Sequence, residues 1–221
     1  MTTKEQLLRI YHTLYDTYGP QRWWPGESQF EIMIGAILTQ NTSWTNVEKA
    51  IANLRSADAL SPERLHAMAP EELAQLIRPA GYYKLKTKRL KNFLDWLMTQ
   101  SDGNLERVSQ WPLSSLREAL LSISGIGPET ADSILLYAFT KPVFVVDTYT
   151  ARLAVRHGLI EQPFDYHQLQ DLFQSNLPED IQLYNEYHAL IVQIGKHFCK
   201  PKAKCDACPL NALPHTLDIE G

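Results

Sequence analysis

The residues best equipped for chemistry lie between Leu121 and Arg152, in the run LSISGIGPETADSILLYAFTKPVFVVDTYTAR. Gly125-Ile126-Gly127 separates two segments of helical pattern. Two glycines one residue apart permit a tight turn that presents successive backbone N–H groups. Those amides, together with the positive end of a helix beginning near Pro128, can hold a phosphate without reading any base. As a plain helix–helix turn the same glycines need no ligand. Further on stands Asp147, just before Thr148-Tyr149-Thr150-Ala151. Glu129 to Thr140, about 12 helical residues, would be roughly 18 Å long. Lys141 to Val146, if extended, spans about 20 Å. A chain that climbs the helix and returns extended brings Asp147 back beside the glycine turn. Asp147 is also a natural N-cap for the helix that follows, and capping fixes a carboxylate in place for a second job.

The three cysteines, Cys199, Cys205 and Cys208, fall within ten residues and suggest a metal clip rather than a secreted disulfide framework. The start, Met-Thr-Thr-Lys-Glu-Gln, lacks the basic-then-apolar pattern of a secretion signal. The strongly apolar runs, such as Ile32 to Leu38, are too short to span a bilayer. The expectation is a cytoplasmic protein with no membrane partner. The formal net charge of −4 does not advertise a polyanion-binding protein, but the distribution of charge matters more than its sum. From Lys84 to Lys91 five of eight residues are basic and none is acidic. Lys196, His197, Lys200, Lys202 and Lys204 form a second basic cluster around the cysteines.

The elements that must position these groups are helical almost throughout. Gln6–Tyr18 carries apolar residues at helical spacing, and Phe30–Leu38 is apolar nearly all round, as a central buried helix should be. Trp44–Leu54, Tyr82–Met98, Leu113–Ser122, Glu129–Phe139, Thr148–His157, Tyr166–Ser175 and Ile181–His197 continue the array. Ser61-Pro62-Glu63 and Ala69-Pro70-Glu71 are helix openings, with proline in the first turn and a carboxylate near the positive end. Only Val143–Val146 reads as extended. The fold class is therefore all-α. Residues 25–140 suit a globular helical barrel that includes the glycine turn; residues 1–24 with 141–221 form a second helical lobe. Asp147 is expected at the seam between the two, where clefts favour function.

The glycine turn followed by a Gly/Pro-containing stretch and an aspartate resembles the helix-hairpin-helix signature of the endonuclease III superfamily of DNA glycosylases. Phe30-Glu31 through Leu38-Thr39-Gln40-Asn41-Thr42 is similar to that family's central helix, which ends in a glutamine that fills the gap left by an extruded base. Pro79-Ala80-Gly81-Tyr82-Tyr83, with Lys86 and Lys88, is similar to its loop that wedges into the opposite strand. Phe198-Cys199-Lys200-Pro201 and Cys205-Asp206-Ala207-Cys208-Pro209-Leu210 resemble its iron–sulfur loop. The resemblance implies double-stranded DNA carrying a damaged base as partner, a monomer, and Asp147 as catalytic carboxylate. It also implies Gln40, Tyr82, Lys86, Lys88, Gly125, Ile126, Gly127 and Thr130 as DNA-binding residues.

Two departures qualify this. Members with lyase activity carry a lysine in the hairpin helix that attacks C1′ to form a Schiff base; the matching residue here is Glu129, which cannot form an imine and whose simpler role is at the helix N-terminus. The chain thus resembles the monofunctional branch, in which Asp147 assists water and stabilises an oxocarbenium-like sugar. A fourth cysteine is also missing: position 214 is proline and His215 follows. A [4Fe–4S] cluster ordinarily takes four cysteines, whereas Cys199, Cys205, Cys208 and His215 also suit structural zinc, and a loop without metal stands beside both. Trp24, Pro25 and Trp44 bracket the central helix and are expected to form the base pocket. The pairing of Trp-Trp-Pro with Thr-Gln-Asn-Thr resembles the superfamily's 3-methyladenine glycosylases. An aromatic pocket suits alkylated purines, whose positive charge both weakens the glycosidic bond and favours cation–π contact. An oxidised-pyrimidine or mismatch glycosylase with lyase activity, and a non-catalytic DNA-binding relative, are the competing readings.

Overall fold

The structure is a computed structural model that describes residues 1–217. Among the described residues it contains twelve α-helices and no strand. The chain divides into two compact units, Trp24–Lys141 and a discontinuous one formed by Met1–Trp23 with the chain from Pro142 onward.

The continuous unit is built around α2 (Gln29–Leu38), in which Phe30, Glu31 and every residue from Met33 to Leu38 are buried. A helix apolar on all faces has no solvent side and must sit at the centre. Around it stand α3 (Trp44–Ser56), α4 (Pro62–Ala67), α5 (Pro70–Leu76), a single 3₁₀ turn at Arg78–Ala80 and α6 (Tyr83–Ser101). Next come α7 (Leu105–Ser109), α8 (Leu113–Leu121) and α9 (Pro128–Ser133). Proline opens α4, α5 and α9, where its missing N–H costs nothing. Glu31, buried on the central helix, accepts from Arg55 Nη2 at 2.8 Å. Asp132 of α9, fully buried, takes a two-pronged pair from Arg117 of α8 at 2.7 and 3.0 Å, which locks the helices either side of the glycine turn together.

Two local features depart from the expected helices. The short α7 follows Asn104, whose side chain caps it by accepting from Arg107 N. The helix expected over Glu129–Phe139 is α-helical only to Ser133 and then widens into a π turn at Ile134–Ala138. Phe139 N–H therefore reaches back to Ile134 O, and the helix end is tied off by Gln29 Nε2, which donates to Ala138 O at 2.8 Å.

The discontinuous unit holds α1 (Thr3–Tyr18), α10 (Thr148–Arg156), α11 (Tyr166–Gln174) and α12 (Ile181–His197). Thr2 and Glu5 close a reciprocal capping box, so α1 begins earlier than its apolar spacing alone implied. Val143–Val146 is buried and belongs to no sheet. Its backbone still needs partners: Gln174 Oε1 accepts from Phe144 N at 2.8 Å and Gln170 Nε2 donates to Phe144 O at 2.7 Å. The Phe144 ring stacks on Phe173 at 4.4 Å and meets Tyr184 and Tyr187 edge-on, while Tyr187 Oη donates to Leu7 O and so ties in α1.

Gly195 lets α12 approach α10. A Cβ there would lie 2.3 Å from Tyr149 Cδ1 and 2.7 Å from Tyr149 Cβ. Because Tyr149 Cβ moves only with its backbone, Gly195→Ala must push α10 away. We expect a loss of about 1–3 kcal/mol from overpacking, read as a drop of several degrees in melting temperature. An unchanged melt would show that the crossing yields without strain.

Candidate active site

Asp147 is the N-cap of α10, and its two carboxylate oxygens do different things. Oδ1 accepts from Thr150 N at 2.8 Å and from Thr150 Oγ1 at 2.9 Å. Oδ2 faces His188 Nε2 of α12 at 3.7 Å, an ion-pair distance rather than a hydrogen bond. The side chains of Asp147 and His188 are 11% and 6% exposed. Burial pushes the Asp147 carboxyl up, but His188 and the two Thr150 donors outweigh it and hold the pKa below its ordinary value. The capping and chemical readings of Asp147 are thus compatible: one oxygen holds the helix, and the other carries a charge held in place by α12. His188 was not singled out from the sequence. Lying 41 residues on, it is one of seven histidines in the chain, with no local pattern to mark it.

In the continuous unit the glycine turn is held from three directions. Gly125 has φ +98°, and a Cβ on it would run into the Arg89 side chain at 2.4 Å, so glycine is required on both counts. A Cβ on Gly127 would meet nothing within 4 Å. Packing does not demand glycine there, and the bare backbone leaves room for a close approach from outside. Asn92 Nδ2 donates to Ser124 O, and Gln40 Nε2 donates to Gly125 O at 3.1 Å and to Thr130 Oγ1 at 2.9 Å. The Gln40 Oε1 accepts in turn from Arg89 Nη1. Arg89 lies within the basic run seen in the sequence, but its part as a clamp on Gln40 was not foreseen.

Three of the residues expected to touch DNA are placed otherwise. Lys86 is 1% exposed and donates to two main-chain carbonyls, Leu38 O at 2.9 Å and Ala80 O at 2.7 Å, so it cannot reach a phosphate. Burial, and then the charge of Arg89, lower its pKa to about 8. Ile126 N–H is spent on Ile123 O and its side chain is buried, so the turn does not present an unbroken row of amides. Thr130 is 7% exposed and its hydroxyl serves Gln40. Lys88 is exposed, and Tyr82 is 70% exposed with a left-handed φ of 45° that lifts it off the start of α6. Leu85, 48% exposed on the same turn, adds a second apolar side chain there. Glu129 is exposed in the first turn of α9.

The aromatic residues form a cluster against α2. Trp24 meets Trp44 edge-on at 5.1 Å and Tyr137 at 5.2 Å, and a Cβ on Gly35 would touch both tryptophans. The two indoles are in contact, so a base does not fit between them as they stand. Instead Trp44 and Pro25 line an open cavity together with Glu27, Glu31, Glu48 and Arg55. Tyr137, on the π turn, is a third ring of this cluster, and the sequence gives no sign of that placement.

Cys199, Cys205, Cys208 and His215 line one small cavity in the discontinuous unit. Buried Arg156 reaches Cys199 Sγ at 3.2 Å and Pro201 O at 2.9 Å, and Arg152 Nε donates to Cys199 O. Burial pushes the Cys205 and Cys208 thiols up. Among the described residues no three His, Cys, Asp or Glu side chains gather closely enough to hold a metal ion. With three thiols and Pro214 where a fourth would stand, the residues do not fit a four-cysteine cluster.

Residues 34–179 match the family described as HhH-GPD superfamily base excision DNA repair protein. The chain is 49% identical over 208 residues to a Methanocaldococcus jannaschii protein, MJ1434, whose name provisionally assigns it as a DNA repair glycosylase; the match covers 93% of this chain and 94% of that one. It is 30% identical to Thermotoga maritima endonuclease III over 180 residues, covering 81% and 79% of the two chains. The crystal structure of Helicobacter pylori 3-methyladenine DNA glycosylase bound to 1,N6-ethenoadenine superimposes with a TM-score of 0.76 at 31% identity, covering 89% of this chain and 98% of that one. An endonuclease III–DNA complex shares the fold, with a TM-score of 0.81 at 23% identity over 97% and 96% of the chains. The chain belongs to the HhH-GPD superfamily of base excision DNA repair proteins, and within it is a DNA glycosylase.

Proposed function

We propose that this glycosylase is monofunctional and removes alkylated purines such as 3-methyladenine. The observation that carries the reading is the pairing of a held, ionised Asp147 with a glutamate at the position of the imine-forming lysine. In this mechanism the duplex is gripped at the Gly125–Gly127 turn and the surface around Lys88. The damaged nucleotide is turned out of the stack, Gln40 enters the gap and Tyr82 presses on the opposite strand. The glycosidic bond lengthens, its electrons leave with the base, and the sugar gains oxocarbenium character. Asp147 Oδ2 stabilises that positive charge and orients the water that adds to C1′, accepting its proton. His188 and Thr150 are positioning residues that keep the carboxylate ionised and aimed.

The base stacks on the cavity-facing side of Trp44. An aromatic face with carboxylates in the same lining suits a purine whose alkylated ring nitrogen makes it cationic and already a good leaving group. The likeness to the Helicobacter pylori enzyme, named for 3-methyladenine and crystallised with an adenine adduct, supports this choice. The cysteine loop is given no part in the reaction. The protein acts as a monomer in the cytoplasm.

The test is a panel of duplexes carrying single 3-methyladenine, ethenoadenine, oxidised-pyrimidine or mismatched bases, each treated with alkali after incubation to reveal abasic sites. Release should be fastest for the alkylated purines. Sodium borohydride should trap no covalent adduct under conditions that trap a lyase, because Glu129 offers no amine. Strand cleavage without alkali, together with efficient trapping, would refute the monofunctional reading. Release of oxidised pyrimidines alone would refute the substrate.

A further inference from the structure

Lys86 is a lysine withdrawn from solvent in a surface run of basic residues, and its two partners define what it does. Leu38 is the last residue of α2 and Ala80 the last of the 3₁₀ turn before α6. Each of these carbonyls lies two residues before a side chain assigned to the duplex: Leu38 before the half-buried Gln40, Ala80 before the exposed Tyr82. The carbonyls at the ends of α2 and of the 3₁₀ turn would otherwise lack intrahelical donors. One ammonium satisfies both and spans 48 residues of sequence in doing so. An apolar side chain would fill the space without the cost of burying a charge, but it would leave two buried carbonyls unpaired.

One turn further along the same face of α6, Arg89 donates to the Gln40 amide oxygen and lies against Gly125. The Gln40 side chain is thereby oriented, with its nitrogen toward Gly125 O and Thr130. Lys86 holds the main chain that leads to Gln40 while Arg89 holds the side chain.

We propose that Lys86 is a positioning residue that locks the Gln40 turn to the Tyr82 turn, so that the two side chains assigned to the duplex enter it as one rigid pair. This rests on the reading of Gln40 and Tyr82 given above, and the experiment separates the two. Single-turnover release of an alkylated adenine is measured for wild type, Gln40→Ala, Tyr82→Ala, Lys86→Met and the double variant Lys86→Met/Tyr82→Ala. Affinity for undamaged duplex is followed against salt. Lys86→Met should slow release about tenfold or more, as small misplacements of reacting groups do, with the salt slope unchanged. The double variant should lose less than the product of the two single losses, because part of the Lys86 effect runs through the Tyr82 already removed.

A salt slope shallower by about one would make Lys86 a phosphate contact and overturn the proposal. Losses that multiply in the double variant would overturn it as well. If Gln40→Ala and Tyr82→Ala release the base normally, the reading of the two probes is wrong and the proposal falls with it. If they fail while Lys86→Met works normally, the probes stand and the lock alone is refuted. Circular dichroism checks each fold. Should Lys86→Met not fold, Lys86→Gln, which keeps two amide donors on a shorter arm, carries the same comparison.

Discussion

Asp147→Asn should reduce release of the damaged base by at least about a hundredfold to a thousandfold, the scale of losing one preorganised electrostatic group in a buried site. The exchange is isosteric, and the amide oxygen can still accept from Thr150 N and Oγ1, so the cap of α10 survives. What disappears is the charge on the Oδ2 side that faces His188. Affinity for the lesion duplex should be equal or higher, because a negative charge has been removed from a phosphate-binding protein. The sign of the stability effect follows from the lowered carboxyl pKa. A depressed acid stabilises the fold above its unfolded pKa and loses that contribution as pH falls through the folded value. The wild type's advantage over the Asn variant should therefore be present at neutral pH and shrink in acid. Single-turnover release and melting curves from pH 7 downward check both parts. A variant that turns over near the wild-type rate would remove Asp147 from the chemistry.

Trp44→Ala should lower release of an alkylated purine by roughly five- to a hundredfold, the worth of an aromatic stacking contact of about 1–3 kcal/mol. Its thermal stability should change less, because one face of Trp44 already borders the open cavity beside Pro25. Trp24→Ala should behave differently. Trp24 is packed between Trp44 and Tyr137 over Gly35, so its removal takes away the support of Trp44 and should cost both release and stability. Trp96 packs between Phe93 and Trp111 away from this cluster, and Trp96→Ala should chiefly lower the melting temperature. The three variants are compared as release rate against melting temperature. If Trp44→Ala melts like Trp96→Ala and releases the base normally while folded, the indole is core and the pocket assignment fails.

Most of the helices and their order were legible in the chain, though not the short α7 nor the π turn that ends the helix after Ser133. Apolar spacing marked α2 as central, and Ser-Pro-Glu and Ala-Pro-Glu marked the starts of α4 and α5. These are local signals, fixed by the 3.6-residue period and by the chemistry of helix ends. The sequence by itself also determined which residues could carry charge or stack, and that Glu129 cannot form an imine. The extended run Val143–Val146 was legible as extended, but not the reason it needs no sheet, since Gln170 and Gln174 lie far along the chain.

What each polar side chain does depends on how the helices pack. Lys86 and Lys88 are two residues apart in one basic run, yet the helical turn sends one inward to two carbonyls and leaves the other in solvent. Gln40, Arg89, Gly125 and Thr130 are scattered over 90 residues and become one hydrogen-bonded group. His188 acquires its place because Gly195 lets α12 close on α10. Burial and long-range pairing depend on which helix faces meet, and that is settled by packing the whole chain rather than by any window of residues.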